Sequence, residues 1–252
     1  MKKIWWISLV AMVVLIFSGC EEEPTGPIDP PSRISVAVDP TDATGLGLIV
    51  SWIASPTEDT EDGIDGYYIY FNGELIDSTE PGECNYSFRP DGLGTISVTA
   101  YRGDEESEEV SYSTQTVDRE GILLGGWETA NESGIAWDRE SGEYILYSAR
   151  AEYAPEIDVV WDSRDQTLNS PDVMPEWSDL SGLRATAFAP DDGNGYPPDT
   201  GTAYVSVTIG DSYYVKIDGD YYLLLTVNSE DDYGNIHISY KFQKIQRYKR
   251  VY

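Results

Sequence analysis

The chain of 252 residues holds one histidine, His237, and two cysteines, Cys20 and Cys84. Chemistry that needs several such groups together is thereby excluded: no zinc site of clustered His and Cys, no disulfide framework, and no local Ser-His-Asp or Cys-His motif. The 45 Asp and Glu residues offer many carboxylate pairs for sugar hydrolysis, but spacing alone selects none of them. The expectation is a non-catalytic protein that binds an extracytoplasmic protein or polysaccharide, with capture of a small ligand as one alternative and a glycoside-active enzyme as a second. Two acidic turns carry the hard oxygen ligands that suit calcium: Asp191-Asp192-Gly193-Asn194-Gly195, and Glu230-Asp231-Asp232 with Asn235. Neither has EF-hand spacing, so Asp191, Asp192 and Asn194 stand as candidate ligands against the plainer reading of a solvated turn. Trp177, Tyr196 and Tyr233 lie in or beside segments rich in Pro, Gly and Asp. A ring on a loop stacks on a sugar or anchors a protein contact at small entropic cost, so these three are the candidate ligand-binding residues. A ring that caps the open end of a β-sandwich is the competing explanation.

Charge narrows the partners. Lys and Arg number 16 against those 45 acids, a net charge of -29 at pH 7, which repels phosphate backbones and excludes nucleic acid. With 40% hydrophobic residues, 19 Tyr and 7 Trp, the chain still has the material for folded cores, and its length suits one or two domains.

The N-terminus predicts location. Lys2 and Lys3 precede an apolar run from Ile4 to Phe17 that ends in Ser18-Gly19-Cys20. At ~1.5 Å per residue the run covers only part of a hydrocarbon core roughly 30 Å thick, which favours a signal peptide over a membrane span. Phe17-Ser18-Gly19-Cys20 resembles the bacterial lipobox, although Leu is usual where Phe17 stands. The resemblance implies removal of residues 1–19, lipidation of Cys20, and a membrane-anchored protein of the bacterial cell envelope, at the outer membrane or cell surface. Residues 20–32, with Pro24, Pro27, Pro30 and Pro31, then read as an extended tether.

Residues 33–117 read as a β-sandwich. Strand-like runs recur at Ile34 to Val38, Leu46 to Ile53, Tyr67 to Phe71, Cys84 to Phe88, Thr95 to Tyr101 and Glu109 to Thr116, with turn residues between them. Asn72-Gly73 predicts a two-residue hairpin turn in which both residues take positive φ. Val50-Ser51-Trp52, Gly66-Tyr67-Tyr68-Ile69-Tyr70 and Ile96-Ser97-Val98-Thr99-Ala100-Tyr101 make this unit resemble a fibronectin type III domain. That resemblance implies a spacer or protein-interaction module without catalysis. One departure is Gly94, at the position where the family often has a corner tyrosine; its absence predicts a looser loop. Arg102-Gly103-Asp104 matches an adhesive tripeptide but reads as a polar hairpin turn, and Cys84 as a small core residue.

Residues 118–126 read as a linker and 127–252 as a second antiparallel β domain, so the fold class is all-β. Alternation is clear at Ala203, Val205, Val207 and Ile209 and again at Ile236, Ile238, Tyr240 and Phe242; Asp218-Gly219 joins a hairpin. Three or four successive antiparallel strands follow, with long loops between Asp162 and Pro198 and at most a two-turn helix near Trp177 to Leu183. Gly134-Ile135-Ala136-Trp137-Asp138, Glu156 to Asp162, Tyr214 to Tyr221 and Ile236 to Gln243 resemble the C-terminal domain of haem-capturing lipoproteins of the HmuY type. That likeness implies haem between two axial ligands, with His237 and either Met174 or a tyrosine as the available pair. Substitution Cys20→Ala is expected to release the protein from the membrane fraction on cell fractionation; full retention would contradict lipidation at Cys20.

Overall fold

The computed structural model describes residues 26–127, 129, 131–193, 196–198 and 200–251. The expected signal peptide, Cys20, the first part of the expected tether and Asn194 lie outside the described residues. Among the described residues, no helix is long and apolar enough to cross a membrane.

The first unit packs two sheets. Strands β1 (Ser32–Val38), β2 (Leu48–Ile53) and β5 (Asn85–Phe88) form one; β3 (Gly66–Phe71), β4 (Glu74–Thr79), β6 (Thr95–Arg102), β7 (Glu105–Glu106) and β8 (Val110–Ser113) form the other. The orders β1-β2-β5 and β4-β3-β6-β7, with β8 also on β6, make it a fibronectin type III-like sandwich. Alternation drives this. Leu48, Val50 and Trp52 of β2 meet Tyr67 and Ile69 of β3 and Ile96, Val98 and Ala100 of β6 in a single core. Asn72 and Gly73 have φ of 53° and 79°, as a type I′ turn requires.

Gly94 is not the loose point its sequence position suggests. Its N–H donates to Thr114 Oγ1 at 2.8 Å, its carbonyl accepts from the Thr114 N–H at 2.8 Å, and the Thr95 N–H donates to Asn72 Oδ1 at 2.9 Å. A Cβ at Gly94 would lie 2.3 Å from Asn72 Oδ1, so a larger residue would displace the Asn72 amide from the Thr95 N–H. Cys84 lies just before β5, half-buried, with burial pushing its thiol pKa up. Arg102 turns away from solvent: it donates to the carbonyls of Gly26 and Gly63, leaving Arg102-Gly103-Asp104 as a turn.

Two five-stranded sheets make the second unit. Strands β9 (Val117–Leu124), β14 (Ala187–Pro190), β16 (Ser212–Ile217), β17 (Tyr221–Glu230) and β18 (Ile236–Gln243) form one, in the order β14-β16-β17-β18-β9. Strands β10 (Gly134–Trp137), β11 (Tyr144–Tyr147), β12 (Val159–Asp162), β13 (Thr167–Asn169) and β15 (Tyr204–Ser206) form the other, in the order β11-β10-β12-β13-β15. Their inner faces share a core that includes Trp137, Trp161, Phe188, Leu225 and Phe242. Three sequence expectations change here. The expected linker is largely strand β9, which pairs with β18. Strand β15 does not join the β16-β17-β18 meander but crosses to the other sheet and pairs with β13. The candidate helix near Trp177 is a short 3₁₀ turn, Pro175–Trp177, preceded by another at Pro171–Val173, each opened by a proline at its first position.

The first and last described segments both pack on the first unit. Ile28, in the segment expected to be a free tether, is buried in the first core, and Asp29 exchanges hydrogen bonds with Ser55 and Thr57. Beyond β18, Ile245 and Tyr248 enter that same core, while Val251 packs on Tyr214 and Tyr222 of the second unit. The C-terminal segment thus docks on the chain itself through apolar side chains and, at Arg250, through backbone carbonyls. Replacing Tyr248 with Ala is expected to cost about 3–5 kcal/mol, as for other large core truncations; an unchanged midpoint in urea unfolding would show that the C-terminal segment does not support the first core.

Candidate functional site

The outer face of the β11-β10-β12-β13-β15 sheet is covered over one part and open over another. Two stretches, residues 149–157 and 171–183, cover this face at β12, where Ala154, Ile157, Met174 and Trp177 pack on Val160. A buried carboxylate fastens the cover: Asp158 accepts from both Arg139 nitrogens, at 2.8 and 2.7 Å, from the Trp137 N–H at 3.0 Å and from Arg184 at 3.4 Å. Over β13 and β15 the cover stops. Thr167 and Asn169 on β13 and Tyr204 on β15 point outward there, because Leu168 and Val205 take the inward positions.

These three residues floor an open cleft of about 920 Å³, walled by Val173, Met174 and Glu176. Tyr204 is 59% exposed, and Asn169 Nδ2 donates to Thr167 Oγ1 at 2.8 Å. Arg164 forms one rim. Its guanidinium donates to Asp162 at 2.9 and 2.6 Å and to Glu176 at 2.7 Å, and lies 4.7 Å from the centre of the Trp127 ring. Burial works to raise the pKa of Asp162, but the hydrogen bonds from the Arg164 side chain and backbone outweigh it, so the carboxyl sits below its ordinary range. Both carboxylates also hold the Arg164 guanidinium well above its ordinary pKa, Asp162 foremost. On the far side of that rim lies a second cleft of about 380 Å³, bordered by Trp127, Asn131, Ser133, Ser148 and Arg150.

The three aromatic candidates do not converge on either cleft. Trp177 is 2% exposed, and its ring packs 6.1 Å from that of Trp127 beneath the cover. The loop composition around it suggests exposure, but the ring is what the 3₁₀ turns fold onto. Tyr196 is half-buried with the Arg250 guanidinium 5.6 Å from its centre. Tyr233 alone is displayed, 81% exposed on the β17–β18 turn. That turn is held in place by Gly234, whose carbonyl accepts from Trp161 Nε1 at 2.8 Å, and by Asn235, whose Oδ1 accepts from the Gly126 N–H at 3.0 Å.

The acidic turns use their oxygens locally. Asp191 Oδ1 accepts from the Gly193 N–H, and Asp231 accepts from Asn235 Nδ2 and from the N–H groups of Tyr233 and Asn235, which hold its pKa low. Among the described residues, no group of three or more His, Cys, Asp or Glu is placed to hold a metal ion. His237 lies on the outer face of its sheet, between the inward Ile236 and Ile238, whereas Met174 packs outside the other sheet. The two stand on opposite faces of the sandwich and cannot grip one haem iron.

Tyr204 and its neighbours escaped the sequence reading, though a signal was present. Where Val205 and Val207 alternate inward, an aromatic residue on the outward phase is displayed rather than packed. Arg164, Glu176 and Asn169 left no such trace.

No family model matches the chain, and no curated protein does. Solved structures that resemble it include the Clostridium perfringens spore cortex lytic enzyme SleM, 18% identical over 34% of this chain and 27% of that one, with a TM-score of 0.28. This chain thus corresponds to well under half the length of that enzyme. Others are a segment of two fibronectin type III domains from chicken tenascin (15% identical, 83% of this chain and 98% of that one, TM-score 0.27) and the central fibronectin III array of RIM-binding protein (8%, 87% and 69%, 0.28). The first unit is fibronectin type III-like. That statement rests on its own strand order, since likenesses this distant carry nothing about activity.

A group whose pKa is lowered on folding lends stability above its unfolded value and loses it as pH falls through the folded one. The stability gap between the wild type and Arg164→Met is therefore expected to be widest near neutral pH and to shrink as pH drops below about 3.9. A gap constant with pH in chemical denaturation would contradict the Asp162–Arg164 pairing.

Proposed function

We propose that this is a lipid-anchored, non-catalytic protein of the bacterial cell envelope whose second β-sandwich binds polysaccharide. In this reading Cys20 carries the lipid, the fibronectin type III-like unit holds the second unit away from the membrane, and net negative charge keeps both clear of anionic head groups. The observation that carries it is Tyr204. An exposed ring on a sheet face, beside the hydroxyl and amide of Thr167 and Asn169, offers an apolar platform for a sugar ring and polar groups for its hydroxyls.

The charges at the cleft support binding over turnover. Sugar hydrolysis needs a carboxyl whose pKa is raised so that it can donate a proton, together with a second carboxylate. Asp162 is shifted the other way, and it shares Arg164 with Glu176.

In affinity electrophoresis through gels containing cellulose derivatives, xylan, glycol chitin or laminarin, at least one polymer is expected to retard the wild type. Tyr204→Ala is expected to weaken that retardation about tenfold, the equivalent of ~1.4 kcal/mol, with no release of reducing ends by either protein. Equal retardation of the two proteins would remove the cleft from the reading, and turnover would replace binding by catalysis.

A further inference from the structure

We infer that the ligand is an extended oligosaccharide chain which runs from the Tyr204 cleft across the Arg164–Glu176 bridge into the cleft beside Trp127. The inference rests on the polysaccharide reading and adds to it the length and path of the ligand.

Arg164 and Glu176 line both clefts, so the two share a boundary instead of opening on separate parts of the surface. That boundary is a sill rather than a wall, since the side chains of Arg164 and Glu176 remain 42% and 35% exposed. Its geometry is held from several sides: Asp162 below, Glu176 across and the Trp127 ring against one face of the guanidinium. A fixed, partly exposed ion pair presents donors and acceptors at set positions, which suits the hydroxyls of a sugar unit passing over it.

Size points the same way. The first cleft, at about 920 Å³, is already near the top of the ~300–1,000 Å³ range that encloses a drug-sized ligand, and the second adds about 380 Å³. A mono- or disaccharide would fill only part of this groove.

The two ends also differ in chemistry. The first has the Tyr204 ring as a platform. In the second, the face of Trp127 is taken by Arg164, so its offering is polar: the Ser133 and Ser148 hydroxyls, the Asn131 amide and the exposed Arg150. Arg150 is an exposed cation on the border of this cleft, of the kind that donates to hydroxyl or carboxylate oxygens of a bound chain. A ligand that stacks at one end and is hydrogen-bonded at the other has a direction.

The test uses the full folded chain and an oligosaccharide ladder, dimer to hexamer, prepared from whichever polymer retards it. Calorimetric affinity is expected to rise about tenfold or more from dimer to hexamer. Both Arg150→Ala and Ser148→Trp, the latter filling the second cleft, are expected to lower the ratio of hexamer to dimer affinity about fivefold, while Tyr204→Ala weakens every member of the ladder. Equal affinity along the ladder, or a ratio untouched by both second-cleft variants, would overturn the extended path and leave the Tyr204 cleft as a short-ligand site. Absence of binding to every polymer would overturn the polysaccharide reading itself.

Discussion

The hydrogen bonds of one buried amide tie the two halves of the molecule together. Gln243, at the end of β18 and wholly buried, donates from Nε2 to the carbonyls of Thr114 and Arg250, while its Oε1 accepts from the Ile245 N–H. Those bonds turn the chain out of the second sandwich and start its return to the first. Tyr248 then completes the first core, and the buried Arg250 guanidinium donates to the carbonyls of Pro90 and Asp91. A buried cation is tolerable only with such partners, and these two carbonyls belong to the other unit. The same Thr114 whose carbonyl accepts from Gln243 clamps Gly94, so the loop that lacks a corner tyrosine and the inter-unit junction are held by one residue.

From that junction the groove lies on a separate surface, outside the β11-β10-β12-β13-β15 sheet. Its rigidity has a different source. The cover over β12 is fixed from below by Asp158 with its two arginines and from within by Trp177, so the segment that walls the groove at Val173 to Glu176 is not a free loop. Exposed sugar- or protein-binding sites depend on this sort of support, because each side chain that must be ordered on binding subtracts from affinity. Little of the large negative charge lies in the groove, whose lining holds the acids Asp162, Asp165 and Glu176 against Arg164 and Arg150. It belongs to the solvated surface around it.

Much of the fold was legible. Leu48, Val50 and Trp52, or Ile236, Ile238 and Tyr240, state their inward faces by alternation, and Asn72-Gly73 states its turn by the positive φ that few other pairs tolerate. Strand partners were not legible in the same way. Residues 203–209 look like the next strand of a meander, yet β15 pairs with β13, because alternation specifies which face a residue occupies and not which edge it joins. The candidate site suffered from the same limit. Loop composition marked Trp177, Tyr196 and Tyr233 as displayed, whereas only Tyr233 is, since Trp177 has a hydrophobic cover to fill and Tyr196 an arginine to carry.

By itself the sequence determined local matters: an N-terminal apolar run with a cysteine at its end, a strongly negative charge, the faces of individual strands and the tightness of a turn. Each of these depends on residues a few positions apart, where covalent geometry and solvation act directly. Tertiary structure alone decided that Arg164 meets Glu176 and Trp127, that Thr167 and Asn169 lie beside Tyr204, and that the last residues of the chain finish the first core. Those pairings join residues far apart in the chain, and they are settled by which surfaces can be buried together once every strand has chosen its face.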